Sequence, residues 1–242
     1  MQDIETGSVD AIITDPPYGT TKCKWDSVIP FEPMWEQLNR VIKPNGAIVL
    51  FGSQPFTSAL IMSNPKMFRC EWIYQKKVPS NFASAKYQPM KYHENVMIFS
   101  ITRHNYYPIK EEREGGGKQR QKYGYNNGKV GEFVSVKNKI ANKAEDLRYP
   151  SSVQKFNNKA KGDVGFHPTQ KPVPLMEYLI KTYTNEGETV LDFTMGSGST
   201  GVACVNTKRS FIGIEQDDKY FTIAQDRIDN AQRQSLIDFP TQ

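Results

Sequence analysis

The chain has 242 residues, 38% of them hydrophobic and 12% aromatic, and a formal net charge of +5. That length suits one α/β domain with an insertion, and the apolar content excludes a disordered polymer. No apolar run reaches the length of a membrane span, no basic-then-apolar leader opens the chain, and the three cysteines (Cys23, Cys70, Cys204) match neither a metal pattern nor a disulfide framework, so a reducing cytoplasm is the expected setting.

Met1 to Ser8 is a short polar lead with a Gly7-Ser8 break. Val9-Asp10-Ala11-Ile12-Ile13 reads as a buried strand that delivers Asp15-Pro16-Pro17-Tyr18 at its end. Lys22 to Trp25 is a basic and aromatic loop. A helix is expected over Phe31–Ile42, stopped by Pro44-Asn45-Gly46. Ala47–Phe51 is a continuous apolar strand, as found when both sheet faces are covered. A helix from Phe56 to Met62 follows, then strands at Glu71–Gln75 and Glu94–Phe99, with a polar and aromatic loop from Pro79 to His93 between them.

Composition changes at Arg103. From there to Asp163 stand fourteen Lys/Arg against seven acids, which leaves a net −2 for the rest of the chain. A basic, Gly- and Asn-rich insertion on a near-neutral body has the footprint of a polyanion-binding module, although a solvated Lys-rich surface would look the same. Within it, Phe133–Val136 is a candidate short strand. His167-Pro168-Thr169-Gln170-Lys171-Pro172 then leads into a helix at Pro174–Tyr183. A strand (Thr189–Phe193), a Gly turn, a helix toward Asn206, a strand (Ser210–Glu215) and a helix (Asp218–Gln232) complete a βαβ pattern with a parallel sheet.

Two stretches carry chemistry. In Asp15-Pro16-Pro17-Tyr18 the two prolines fix φ and remove two N–H donors, so the carbonyls of Asp15 and Pro16 are available to another partner. A carboxylate, a carbonyl and an aromatic face within four residues suit a planar ring bearing an amino group. The plain alternative is a strand followed by a Pro-Pro turn. Gly196-x-Gly198-x-x-Gly201, with Glu215 nineteen residues after Gly196, matches the dinucleotide fingerprint. A nicotinamide oxidoreductase, an adenosine ligand without a pyrophosphate and a purely structural turn all fit that motif.

Together these stretches resemble the S-adenosylmethionine-dependent amino-methyltransferases of DNA, the N4/N6 family. The order of D-P-P-Y, variable basic region, H-P-T-Q-K-P and Gly turn is similar to its circularly permuted β group. The resemblance implies an α/β fold, a Rossmann-like mostly parallel sheet of the class I methyltransferase type, circularly permuted. It divides the chain into a catalytic half (1–102), a target-recognition insertion (103–165) and a cofactor-binding half (166–242). It gives Asp15, Pro16, Pro17 and Tyr18 the catalytic role, with Asp15 and the Pro16 carbonyl on the amino group and Tyr18 stacked on an extruded base. It sets His167, Thr169, Asp192, Phe193, Gly196, Ser197, Gly198 and Glu215 around S-adenosylmethionine, and implies no metal. Where the family reads D-P-F-x-G-x-G, this chain reads Asp192-Phe193-Thr194-Met195-Gly196-Ser197-Gly198, with the aromatic one place early.

The implied reaction is methyl transfer to adenine N6, because Asp opens the motif where cytosine-N4 enzymes more often carry Ser. Cytosine N4 and a catalytically impaired DNA-binding relative remain alternatives. Duplex DNA is the expected partner in a restriction-modification setting, with no membrane. A homodimer and a cognate nuclease stay open. Only fourteen residues precede Asp15, where the family has a further strand and helix, so a shortened start is expected, with weaker cofactor affinity or a missing sheet-edge element.

Overall fold

The computed structural model describes residues 1–20, 26–112, 123–124, 134–135, 147–157 and 170–238. Two compact units emerge. One joins Met1–Tyr107 to Ser151–Gln242, and the other is Pro108–Pro150. In chain order the strands are β1 (Val9–Thr14), β2 (Ile42–Gly52), β3 (Phe68–Ser80), β4 (Lys91–Phe99), β5 (Glu111–Glu112), β6 (Tyr123–Gly124), β7 (Val134–Ser135), β8 (Leu147–Arg148), β9 (Val153–Phe156), β10 (Thr189–Asp192) and β11 (Ser210–Gly213). The helices are α1 (Phe31–Val41), α2 (Phe56–Ser63), α3 (Val173–Tyr183), α4 (Ser199–Asn206) and α5 (Asp218–Asp238).

The larger unit is built on a seven-stranded sheet in the order β11-β10-β1-β2-β4-β3-β9. β1 pairs in parallel with β10 and β2, β10 with β11, and β3 with β9, while β4 runs antiparallel to β2 and β3. The apolar runs divide by the two-residue strand period. Ala11, Ile13, Ala47, Val49 and Phe51 pack toward Leu175, Leu179 and Ala203 of α3 and α4. Ile12, Ile48 and Leu50 pack toward Leu38, Phe56 and Leu60 of α1 and α2. Coverage on both faces is why β1 is buried along its whole length and why its sequence does not alternate. Asp10, the charged residue in that strand, is satisfied: its carboxylate accepts from Lys43 Nζ at 2.6 Å and from the Thr189 amide at 2.9 Å, tying β1 to both neighbours.

Three boundaries differ from expectation. Pro44-Asn45-Gly46 does not separate helix from strand. β2 already begins at Ile42, and the triplet forms an irregularity in its register with β1. Gly46 is needed there, because a Cβ would stand 2.7 Å from the Asp10 carbonyl. β3 and β4 extend well past the expected Glu71–Gln75 and Glu94–Phe99 as a long antiparallel ribbon. Finally, the second unit is narrower than 103–165, since Val153–Phe156 adds to the edge of the main sheet beside Ile73–Lys76. Within that unit β5 pairs with β8 and β6 with β7, both antiparallel.

At the N-terminal end, the Arg40 guanidinium of α1 donates to the carbonyls of Met1 and Ile4, both at 2.7 Å, and Gly7 N–H donates to the Arg40 carbonyl at 2.9 Å. Among the described residues no helix is long and apolar enough to cross a membrane, and no group of His, Cys, Asp and Glu could hold a metal ion.

Candidate active site

The parallel strands β1, β10 and β11 end at the same edge of the sheet, and their carboxyl ends carry Asp15, Phe193 and Glu215. Crevices at such ends are where open α/β sheets bind ligands. The antiparallel strand β4 reaches the same edge from the other direction. Thr14 is level with Leu50 of β2, and Leu50 with Met97 of β4, so three residues further back β4 brings Glu94 beyond Gly52, next to Asp15. The chain leading into α3 brings Lys171 over this edge.

These residues form a buried ionic cluster. Asp15 Oδ1 accepts from the Tyr18 hydroxyl, and Oδ2 is paired with Lys171 Nζ. Lys171 Nζ also lies 3.2 Å from Glu94 Oε2, and Glu94 Oε1 is paired with Lys76 of β3 at 2.6 Å. The Lys171 side chain is 9% exposed, with its ammonium 5.0 Å from the Phe51 ring centre and 5.9 Å from that of Tyr18. Burial pushes the Asp15 carboxyl up from its ordinary value, while the Lys171 ammonium opposes that rise. Burial would raise Glu94 too, but Lys171 and Lys76 together hold it down at about 2. Burial favours neutral Lys171, yet the two carboxylates hold its pKa above the usual lysine value. Burial and the Asp15 charge keep the Tyr18 hydroxyl protonated, its pKa lying well above the ordinary value. Phe56 stacks on the Tyr18 ring with centres 5.1 Å apart and planes 30° apart.

The Gly turn after β10 is organised by Asp192. Its carboxylate accepts from Thr14 Oγ1 at 2.6 Å, Thr200 Oγ1 at 2.6 Å and the Thr194 amide at 3.1 Å. Burial lifts this carboxyl to about 6 against the pull of those three donors. Thr194 Oγ1 lies 2.6 Å from Thr14 Oγ1 and 3.1 Å from the Asp15 carbonyl. A polar seam thus joins the strand that ends in Asp15 to the strand that starts the turn. Glu215 closes the turn from the far side: Oε2 accepts the Gly196 amide at 2.9 Å, and Oε1 accepts the amides of Gln216 at 2.9 Å and Asp217 at 3.0 Å. Ser197 Oγ bonds Gln170 at 3.0 Å.

A cavity of about 680 Å³ opens between these groups. Its wall includes Asp15, Pro17, Gln170, Lys171, Asp192, Phe193, Gly196, Ser197, Ser199 and Glu215, with apolar contributions from Met176, Ile214 and Tyr220. The Ser199 hydroxyl on this wall is buried with no partner among the described residues. An apolar wall with a few convergent polar groups suits a nucleoside-sized ligand.

Of the expected site residues, Asp15, Pro17, Asp192, Phe193, Gly196, Ser197 and Glu215 come together on this wall. Pro16 and Tyr18 are adjacent but not on it. Gly198 is off it for a reason: a Cβ there would meet Ala224 of α5 at 2.9 Å, and its φ is +79°, so the glycine serves the contact between turn and helix. The Asp15 carbonyl, expected to be available, faces Thr194 Oγ1. His167, Thr169 and the Lys22–Trp25 loop lie outside the described residues. Sequence reasoning missed Glu94, Lys76, Thr14 and Thr194, whose only signal was polarity at the ends of apolar strands. Lys171, within the His167–Pro172 stretch, is a carboxylate partner.

The family model described as DNA methylase, for the N6/N4 methyltransferases, matches residues 9–226. The chain is 28% identical to the type II methyltransferase M.HpaI of Haemophilus parainfluenzae over 95% of its own length and 71% of that protein. It is 25% identical to the DNA adenine methyltransferase YhdJ of Escherichia coli over 97% of its length and 81% of that protein. Its fold is similar to the crystal structure of M1.HpyAVI with S-adenosylmethionine, with a TM-score of 0.63 and 24% identity over 94% of this chain and 90% of the other.

Proposed function

The chain belongs to the N6/N4 DNA methylase family, and on that premise we propose that it moves a methyl group from S-adenosylmethionine to the exocyclic N6 of adenine in DNA. The observation that carries this reading is the convergence of Asp15 with the Gly196–Glu215 turn on one cavity, which lets an amino group at Asp15 meet a ligand seated against the turn. The family match leaves the nicotinamide oxidoreductase reading without support.

The residues present fit the cofactor. Glu215 would take a ribose hydroxyl on Oε2, which accepts one backbone amide and keeps a lone pair, whereas Oε1 already accepts two. Ser199 supplies a buried hydroxyl with no partner among the described residues, and Phe193, Met176 and Ile214 supply apolar walls. When bound, S-adenosylmethionine contributes an electrophilic sulfonium methyl.

Everything else falls to the protein. The adenine amino nitrogen is a weak nucleophile because its lone pair is spread into the ring. Bonds from its two hydrogens to the Asp15 carboxylate and the Pro16 carbonyl favour a tetrahedral nitrogen and stabilise the positive charge that grows on it. Alignment of nitrogen and methyl supplies much of the remaining rate. The target base must leave the duplex to reach Asp15, and a face of Tyr18 opposite Phe56 would stack on it, returning roughly 1–3 kcal/mol. The basic residues of 103–165 would hold the phosphate backbone and carry target recognition.

The choice of adenine rests on Asp15 opening the motif and on the likeness to YhdJ. Incubation with labelled S-adenosylmethionine and unmethylated duplex DNA, followed by digestion to nucleosides, tests it. Label in N6-methyladenine is expected. Label in N4-methylcytosine would keep the chemistry and overturn the base, and no label in DNA would overturn the reading.

A further inference from the structure

Both oxygens of the Asp15 carboxylate are engaged before any base arrives, Oδ1 by the Tyr18 hydroxyl and Oδ2 by Lys171. Each oxygen keeps a second lone pair, but the base amino group meets an acceptor whose Oδ2 already holds a buried ammonium. Tyr18 is fixed to Asp15 through two prolines and cannot withdraw far. Lys171 can. Its ammonium ends a flexible four-carbon stem and already lies 3.2 Å from a second carboxylate oxygen, Glu94 Oε2. That oxygen is buried, and among the described residues it makes no hydrogen bond of good geometry besides this 3.2 Å ion pair, so it can take a closer contact from Lys171.

We propose that Lys171 is a two-position cation at the catalytic carboxylate: it holds Asp15 Oδ2 while the base is absent and shifts onto Glu94 Oε2 when the base amino group takes that place. The proposal rests on the adenine-methylating reading above. No bond forms or breaks; one ammonium exchanges one carboxylate partner for another a few ångströms away. The exchange solves two problems. It keeps the buried Asp15 carboxylate neutralised in the empty site, where an unpaired charge would be costly. It also moves a full positive charge off the oxygen next to the nitrogen that becomes positive during methyl transfer, where a cation would oppose the reaction.

Glu94 and Lys76 are positioning residues in this scheme, and they act in opposite directions. Glu94 is the destination of Lys171. Lys76, on Glu94 Oε1 at 2.6 Å, competes with Lys171 for that destination. Lys91 and the Tyr74 hydroxyl also lie within the electrostatic reach of Glu94 and are left unchanged in the variants below. Removing the Glu94 charge should lock Lys171 on Asp15. Removing the Lys76 charge should draw Lys171 toward Glu94 and free Asp15.

The test isolates the amino contact. The modified position is first read by sequencing DNA treated with the wild-type chain. Two duplexes are then made, one with adenine and one with purine, which lacks the amino group, at that position. Affinities are measured with S-adenosylhomocysteine present so that no transfer occurs, and the ratio of Kd for purine to Kd for adenine is taken, which cancels backbone contacts. Glu94→Gln is expected to lower this ratio about fivefold, of the order of one net hydrogen bond, and Lys76→Gln to raise it. A merely structural role would move both ratios the same way or leave both unchanged, and either result overturns the proposal. Should Glu94→Gln fail to fold, Lys76→Gln decides alone: a ratio that falls or stays level overturns it. If the wild type methylates no adenine, the functional reading fails and takes this proposal with it. Adenine methylation with same-sign ratios sinks this proposal only.

Discussion

Gly198→Ala tests whether the second glycine of the turn serves the fold or the ligand. The new methyl would stand 2.9 Å from Ala224 Cβ, 3.0 Å from Ala224 Cα and 3.2 Å from its carbonyl oxygen, in the fully buried contact between the turn and α5. Two costs add. The residue sits at φ +79°, where a side chain costs about 1–2 kcal/mol. Overpacking against backbone that cannot yield adds about 1–3 kcal/mol. The expected loss in urea unfolding is therefore about 2–5 kcal/mol, read as a lower midpoint at constant slope. The second variant, Ala224→Gly, removes the obstructing Cβ, and on its own costs about 1 kcal/mol as a glycine inside a helix. In the double variant the share of overpacking due to the Ala224 Cβ should return, while the φ share and the close approach to the Ala224 backbone remain, giving a coupling of about 1 kcal/mol. Unchanged stability in Gly198→Ala, combined with lost cofactor binding, would refute the packing argument and restore Gly198 to the ligand.

Three further outcomes are expected. Asp192 has a carboxyl raised from its ordinary 3.8 to about 6, so it gains a proton on folding between those values, and the stability it contributes at low pH is lost as pH rises through about 6. Asp192→Asn should therefore gain stability relative to the wild type between pH 4 and pH 6.5 in urea titrations; a pH-independent difference would contradict the shift. Thr14→Val removes the donor to Asp192 and the contact to Thr194, and should lower stability by about 1–3 kcal/mol while reducing methyl transfer by more than that loss of folded protein explains. Substitution of Lys118, Arg120 and Lys122 by Ala should reduce the slope of log affinity for DNA against log salt by up to about 1 per residue, measured by fluorescence anisotropy; an unchanged slope would remove the insertion from the DNA interface.

The sheet was legible because its strands carry their burial in their composition. Val9–Ile13 and Ala47–Phe51 have to be covered on both faces, and the run from Val190 to Glu215 repeats the strand, Gly turn, helix and acid of a nucleotide-binding half. The convergence of Asp15 with Glu215 could be anticipated from the motifs alone. What stayed hidden depends on register. Glu94 becomes a neighbour of Asp15 only because β4 returns antiparallel to β2, an arrangement that no local pattern around Lys91–Phe99 announces. Lys171 fitted a phosphate partner, a carboxylate partner or an exposed lysine equally until Asp15 and Glu94 were in place beside it. Pro44-Asn45-Gly46 has the composition of a stop, yet tertiary pairing with Asp10 and Ala11 absorbs it as an irregular stretch of strand. Gly198 read as a cofactor contact, but it faces α5 through Ala224, as Gly201 does through Ile228.

The central claim is that Asp15 acts on the base and the Gly196–Glu215 turn on the cofactor, within one cavity. Asp15→Asn tests it most directly when transfer and binding are measured on the same preparation. The account predicts that the variant binds S-adenosylmethionine as the wild type does, while N6-methyladenine formation falls by two orders of magnitude or more, roughly the effect of losing one transition-state contact to developing charge. Wild-type transfer rates in Asp15→Asn would contradict the account at its core.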